Sequence, residues 1–296
     1  MISCNNRWFG TVAVLALSLG TAHAVNATIV TSPTGTVTGT SDTFVTDSWF
    51  RTNVRSGGTT GITADYPRDT NGSAYFYGIF TDTTGNDKAD WKYESSTGYG
   101  PLSQLTSVTY DWYRDSSSTV PAHYHPAIRI MLRDAEDPSI RRKLVFELAY
   151  NPAVTPVTTD AWVTQMVDDN AHVWNVDAAP YKTLATCKAA TLPNTEGVDI
   201  NSANFCWGVL GTDIVMGIEV GIGSWWATAE GQFFKGAADD VKLVMDGQEV
   251  LNANFELPAP PVAAPVSVPT MSEFGLVALG TLLAGSAFVR RRRRKD

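Results

Sequence analysis

The 296-residue sequence is poor in the residues that support thiol and soft-metal chemistry, with three cysteines and four histidines in all. It has no C-x-x-C pair, which argues against dithiol redox catalysis and against a zinc site. No G-x-S-x-G elbow accompanies any serine, so an α/β-hydrolase nucleophile has no seat. A run of acids of the type E-x-D-x-x-E is also missing. A jelly-roll glycosidase uses such a run to set two carboxylates across the scissile bond. Long stretches with a 3.6-residue apolar period are scarce, which points away from helical architecture.

What is present begins with signals at both ends. MISCNNRWFGTVAVLALSLGTAHA carries one cation at Arg7, an apolar stretch from about Thr11 to Leu19, and small residues around Ala22-His23-Ala24. That is the plan of a secretory signal peptide cleaved after Ala24. At the other end Phe274 to Val289 is a run of sixteen uncharged residues, followed by Arg290 to Arg294 and Lys295. The positive-inside rule keeps such a basic end cytoplasmic and leaves the body across the membrane. The cations therefore read as a stop-transfer signal, not as a nucleic-acid contact.

Val268-Pro269-Thr270-Met271-Ser272-Glu273-Phe274-Gly275 resembles the I-P-T-L-S-E-W-G motif of IPTL-CTERM sorting tails, relatives of the PEP-CTERM class. The Pro-Thr pair, Ser272, Glu273 and Gly275 are kept; Val for Ile, Met for Leu and Phe for Trp are departures. The resemblance covers only the C-terminal end. It implies an exosortase-type membrane transpeptidase as partner, a transient stay at the inner membrane of a Gram-negative bacterium, and delivery to the cell surface or extracellular matrix. A permanent C-terminal anchor is the rival reading.

The expected organisation is a signal peptide over 1–24, an extracellular domain over 25–255, a Pro-rich linker over 256–267 and the sorting tail over 268–296. Without the two terminal segments Lys plus Arg fall from 22 to 15 and Asp plus Glu from 30 to 28, so the exported body stands near −13. That balance disfavours polyanions such as nucleic acid and is compatible with divalent cations. Cys4 leaves with the signal peptide; the remaining pair, Cys187 and Cys206, reads as a disulfide in an exported protein. Glu256 to Pro269 holds five prolines among small residues, an extended stalk that ends the folded body.

Within the body, Val108, Tyr110 and Trp112 alternate, as do Leu144, Phe146 and Leu148, and Ile214, Met216, Ile218, Val220 and Ile222. Partners such as Thr109, Asp111 and Glu219 would then face water. Turn clusters such as SGGTTG and DTTGND separate these runs. The fold class is all-β: a single antiparallel β-sandwich of jelly-roll or lectin-like kind, followed by the linker and one C-terminal transmembrane helix. The segments WFRTNVRSGGTTGITADYPRDTNGSAYFY, DWYRDSSST, GIEVGIGSWW and AADDVKLV resemble a recurrent domain of secreted bacterial proteins that end in sorting tails. That resemblance implies an extracellular sandwich and supplies no catalytic residue.

Several residues are candidates for a site. His123 and His125 have H-x-H spacing but lack a third ligand, and read as a polar approach to a strand. Arg114 and Asp115, ahead of three serines, read as a strand end with local ion pairs. Glu147 and Glu219 stand alone on their strands. Asp239 and Asp240 resemble the last strand of calcium-bearing carbohydrate-binding jelly rolls; in a strand they point to opposite faces, and a structural Ca²⁺ is expected at the inward one. Counting by twos from Ile214 puts Trp226 inward and Trp225 outward, where it would form a platform for extracellular polysaccharide, with Gly221 and Gly223 leaving the face open beside it. The expected role is a non-enzymatic carbohydrate- or matrix-binding or structural surface protein; a glycan-cleaving hydrolase or lyase is the alternative.

Overall fold

A computed structural model describes residues 27–31, 37–38, 42, 44–55, 57–80, 87–151, 156–175, 181–194, 197–259 and 273–292. The signal-peptide segment and Val268 to Ser272 of the sorting motif lie outside these residues. The chain forms two compact units that divide between Pro258 and Ala259.

Numbered along the chain, the strands of the first unit begin with β1 (Thr28–Thr31), β2 (Val37–Thr38), β3 (Trp49–Arg55), β4 (Gly58–Thr63) and β5 (Ser73–Ile79). They continue with β6 (Lys88–Glu94), β7 (Gly100–Pro101), β8 (Leu105–Arg114), β9 (Ala127–Arg133) and β10 (Arg141–Phe146). The last are β11 (Trp162–Val167), β12 (His172–Asn175), β13 (Lys182–Thr183), β14 (Ile214–Ile222), β15 (Phe233–Met245) and β16 (Gln248–Glu256). They build two sheets. In the first, β8 and β11 lie on one side of β15, with β5-β4-β2 and β16-β1 on the other; the second runs β13-β12-β10-β9-β14-β6-β3 with β7 beside β14. Among these strands pairing is antiparallel except for β1 on β16, which is parallel.

Alternation decides what fills the space between the sheets. Val108, Tyr110 and Trp112 of the first sheet are buried with Ile128, Ile130, Leu132, Leu144 and Phe146 of the second. β14 departs from a simple count by twos, because an extra residue at Met216 shifts its register against β9. Val215, Ile218, Val220 and Ile222 belong to the core cluster and Met216 does not. A bulge of this kind moves each residue before it to the opposite face. The expectation that Asp111 and Glu219 face water is overturned as well, since they keep 3% and 2% of their surface.

Cys187, on the short helix α1 (Leu184–Lys188), is joined to Cys206 with the Cα atoms 5.0 Å apart and a sequence separation of 19. Closing a loop of that length stabilises a fold by roughly 3 kcal/mol. The second unit holds helix α2 (Glu273–Arg292), which takes in the last residues of the sorting motif, Glu273, Phe274 and Gly275. Among the described residues no helix is long and apolar enough to cross a membrane, a correction to the expected transmembrane helix. Charged residues occupy both ends of α2, and the uncharged stretch between them rises about 24 Å against a hydrocarbon core of about 30 Å.

Candidate functional site

The face of the second sheet turned away from the core is lined with charge. On β6 the alternate residues Lys88, Asp90, Lys92 and Glu94 share it, opposite Gly217, Glu219 and Gly221 of β14. Arg129 and Arg133 of β9 pair beside Val145 and Arg141 of β10, with Lys143 between them. An irregularity in β3, where Asn53 has φ 52°, turns Arg55 to the same side, opposite Lys88. Among the described residues, and counting Glu147 just past β10, seven cations (Arg55, Lys88, Lys92, Arg129, Arg133, Arg141 and Lys143) meet four carboxylates (Asp90, Glu94, Glu147 and Glu219). The face thus carries a surplus of three positive charges in a body near −13.

The floor is a buried ion network. Arg129 Nη1 reaches Asp90 Oδ1 at 2.8 Å and Lys88 Nζ reaches Asp90 Oδ2 at 2.9 Å, while Asn53 Nδ2 donates to Oδ2 at 3.0 Å. Glu219 Oε1 lies 3.4 Å from both Lys88 and Arg129 and 3.8 Å from Lys143. Burial pushes the Glu219 carboxyl up, but Arg129, Lys88 and Lys143 outweigh it and hold the group at about 2. Burial also pushes Asp90 up, against Arg129 and Lys88; two cations within 3 Å decide for the carboxylate at neutral pH. Burial raises Glu147, whose Oε1 accepts from Trp226 Nε1 at 3.3 Å. Lys143 is pulled down by burial, with Glu219 opposing, and its side chain is 30% exposed.

Above this floor runs a groove of about 250 Å³, lined by Asn53, Arg55, Lys88, Arg129, Lys143, Val145, Glu147, Trp174 and the turn Gly223 to Trp225. At one side Trp174 meets Tyr150 edge-on at 5.6 Å, and Tyr150 stacks on Tyr181 at 4.6 Å. At the other, Arg55 Nη2 donates to Ser224 Oγ at 3.1 Å beside Trp225.

Trp225 is 68% exposed, but not by the expected route. β14 ends at Ile222, and Trp225 sits in the following turn with φ 67°, a left-handed conformation that a bulky residue seldom adopts. The glycines do not leave room beside it. A Cβ on Gly221 would lie 2.2 Å from Asp90 Oδ1, and one on Gly223 2.4 Å from Trp226 Nε1, so carboxylate and indole already fill that space. Trp226 is buried, stacked on Tyr124 at 4.9 Å.

Asp239 and Asp240 stand where β15 changes partner, from β5 up to Ala238 to β16 from Val241. One extra residue on β15 against β8 lies between Asp239 and Lys242, and Asp240 has φ 51°, so the expected pair of opposite faces is replaced by a bulge. Asp239 Oδ1 accepts from Phe255 N and Asp240 N, both at 2.8 Å, two donors that the change of partner leaves outside the ladder. Oδ2 has no partner. Burial, only partly offset by those two bonds, raises the carboxyl to about 8. Nearby Glu256 likewise accepts from Thr70 N and Asn71 N. Backbone donors thus engage Asp239 Oδ1 and both Glu256 oxygens, and Asp239 Oδ2 is left over. Among the described residues no group of three or more His, Cys, Asp or Glu side chains is placed to hold a metal ion.

The remaining candidates take structural places. His125 is buried, stacks on Trp112 at 4.7 Å and accepts from Leu148 N at 3.0 Å; burial pushes it down to about 3, so it is neutral. Arg114 does not pair with Asp115. It donates to the carbonyls of Tyr124 and Val120 and pins the turn between β8 and β9, while Asp115 accepts from Tyr66 Oη at 2.6 Å. Glu147 and Glu219, solitary in sequence, are brought together around Arg129, whose charge both favour.

Residues 266–293 match the IPTL-CTERM motif. No curated protein matches the chain. Among solved structures it is similar to carbohydrate-binding modules of the β-sandwich superfamily described for promiscuous specificity, at 14% identity and a TM-score of 0.32, over 67% of this chain and 56% of that one. It is also similar to an endo-β-1,4-glucuronan lyase from the fungus Trichoderma reesei, at 10% identity and a TM-score of 0.36, over 64% of this chain and 87% of the other. The chain thus spans 56% of the length of the first. At these scores neither likeness carries weight for ligand or chemistry, and what the comparisons establish is the C-terminal sorting motif on residues 266–293.

Proposed function

We propose that this is an exported, surface-sorted protein whose jelly-roll body binds glycan without cleaving it, in the groove of the second sheet. The observation that carries the reading is Trp225: a large aromatic residue held in a left-handed turn and 68% exposed at the lip of a polar groove. Such strain and exposure are unfavourable for folding, and they concentrate at ligand clamps. Aromatic faces with a few fixed polar groups suit sugar rings, and Trp174 supplies a second ring across the groove. Affinity electrophoresis of the purified protein through gels containing polysaccharides is the test; migration unchanged by every polymer would overturn it.

A second reading, cleavage, has one observation in its favour: Glu147 is pushed up while Glu219 is held at about 2, the divergence that separates an acid from a base. Three cations already neutralise Glu219, and this favours a structural anion. Release of reducing or unsaturated chain ends would decide for cleavage. For the tail, the motif supports recognition by an exosortase-type transpeptidase and loss of the helix with its arginines. Mass spectrometry of the surface protein should then find no peptide beyond the motif, whereas an intact Arg290 to Asp296 end would mean retention.

A further inference from the structure

Resting on the glycan-binding reading, we infer that the groove selects an anionic polysaccharide, one bearing carboxylate or sulfate on its rings. The argument is one of charge placed against its surroundings. A body near −13 repels a polyanion as a whole, yet one sheet face carries more cations than carboxylates. The two innermost cations, Lys88 and Arg129, are committed to Asp90 and Glu219 at 2.8–3.4 Å. Arg55 and Lys143 differ from them. Arg55 is exposed and held by the Ser224 hydroxyl next to Trp225. Lys143 is 30% exposed and lies 3.8 Å from its nearest carboxylate.

These two outer cations sit at opposite sides of the groove. Arg55 belongs to β3 and Lys143 to β10, with β6, β14 and β9 between them. That is four inter-strand spacings, on the order of 19 Å between the strands, and Lys143 reaches inward until its Nζ is 3.8 Å from Glu219 of β14, so the two charged ends stand closer than their strands. Trp225 follows Ser224, the partner of the first cation, and Trp174 lines the groove opposite Val145, two residues along β10 from the second. A sugar face can therefore rest on an indole while its acidic group meets the adjacent cation, and a guanidinium or ammonium bonds an oxyanion more strongly than a neutral hydroxyl. At physiological ionic strength charges farther than about 8 Å are largely screened. The acidic remainder of the body is then muted for a bound chain while the contact cations still act.

The test compares four polymers on the purified protein by affinity electrophoresis and calorimetry: a polyuronate, its methyl ester, a neutral β-glucan and a sulfated galactan. The polyuronate or the sulfated galactan should bind on the order of tenfold more tightly than the uncharged polymers, the size of one charge-assisted hydrogen bond, and should weaken with added salt. Whichever of the two anionic arms binds identifies the acidic group. Lys143→Met and Arg55→Met should each lower that affinity on the order of tenfold, and Lys143→Arg should restore it. Arg55 is exposed, so its variant keeps the test open if Lys143→Met disturbs folding. Equal affinity for the ester or the neutral glucan overturns the anionic assignment and leaves glycan binding intact; binding to none of the four removes the glycan reading itself.

Discussion

The two sheets bury carboxylates in opposite ways. In the second sheet Asp90 and Glu219 meet Lys88 and Arg129 across three strands, and Glu219 stays ionised with its carboxyl at about 2. In the first, Asp239 meets only backbone N–H groups, and its carboxyl rises to about 8. Both acids are more than nine-tenths buried, so burial alone does not fix the charge state. The partner does: a full cation repays the loss of hydration, while two amide dipoles on one oxygen, with Oδ2 left bare, do not. One region is a fixed electrostatic floor beneath a groove, and the other is a joint that ties β16 to β15 where β15 changes partner.

The largest effect should come from breaking the floor. Arg129→Met removes the cation shared by Asp90 and Glu219 and leaves two buried carboxylates with weaker compensation. Removing one partner of a buried ion pair costs about 3–5 kcal/mol. Urea unfolding at pH 7 should show a loss of that size, and a loss under about 1 kcal/mol would mean that Lys88 alone suffices.

The comparison sharpens with pH, because the two shifts have opposite signs. Asp239 keeps its proton to about 8 when folded, against an ordinary value of 3.8, so between those values the folded state binds more protons and stability falls as pH rises. Glu219, held at about 2 against an ordinary 4.5, contributes stability that is present above 4.5 and lost as pH falls toward 2. Asp239→Asn keeps an acceptor oxygen for Phe255 N and Asp240 N and removes the titration. Between pH 5 and pH 8 the wild type should lose up to several kcal/mol relative to this variant. Parallel pH profiles for the two proteins would show that Asp239 is already ionised at pH 5.

How far these regions were legible differs for physical reasons. The alternation of Val108, Tyr110 and Trp112 gave a buried strand face because a period of two needs no knowledge of neighbours. Cys187 and Cys206 could be paired because the body has no other cysteine. The alternate charges of KADWKYE were equally visible. Their meaning was not, since it depends on β14 lying between β6 and β9, strands far apart in sequence. A net charge near −13 also averages over faces of opposite sign. The count failed at Met216 and at Asp240, where one extra residue changes the phase of a strand. The left-handed conformations of Asn53 and Asp240 fall on residue types that tolerate them, a weak signal that only the backbone makes definite.

The smallest effect on stability should come from Trp225, and its smallness is informative. The ring is mostly in water and sits in a turn, so Trp225→Ala removes little buried surface and should change the unfolding free energy by less than about 0.5 kcal/mol. Trp225→Gly goes further: glycine adopts φ 67° without a side-chain penalty, which should make this variant as stable as the wild type or better by up to about 1 kcal/mol. Retention on the bound polysaccharide should nonetheless fall in both variants, because the indole no longer meets the sugar beside Arg55. A residue whose removal leaves the fold unchanged or firmer and weakens the complex is held there for the ligand. If instead Trp225→Gly destabilised the protein by more than about 2 kcal/mol, the ring would belong to the packing of the β14 turn, and the lip of the groove would have to be drawn from Trp174 and Arg55 alone.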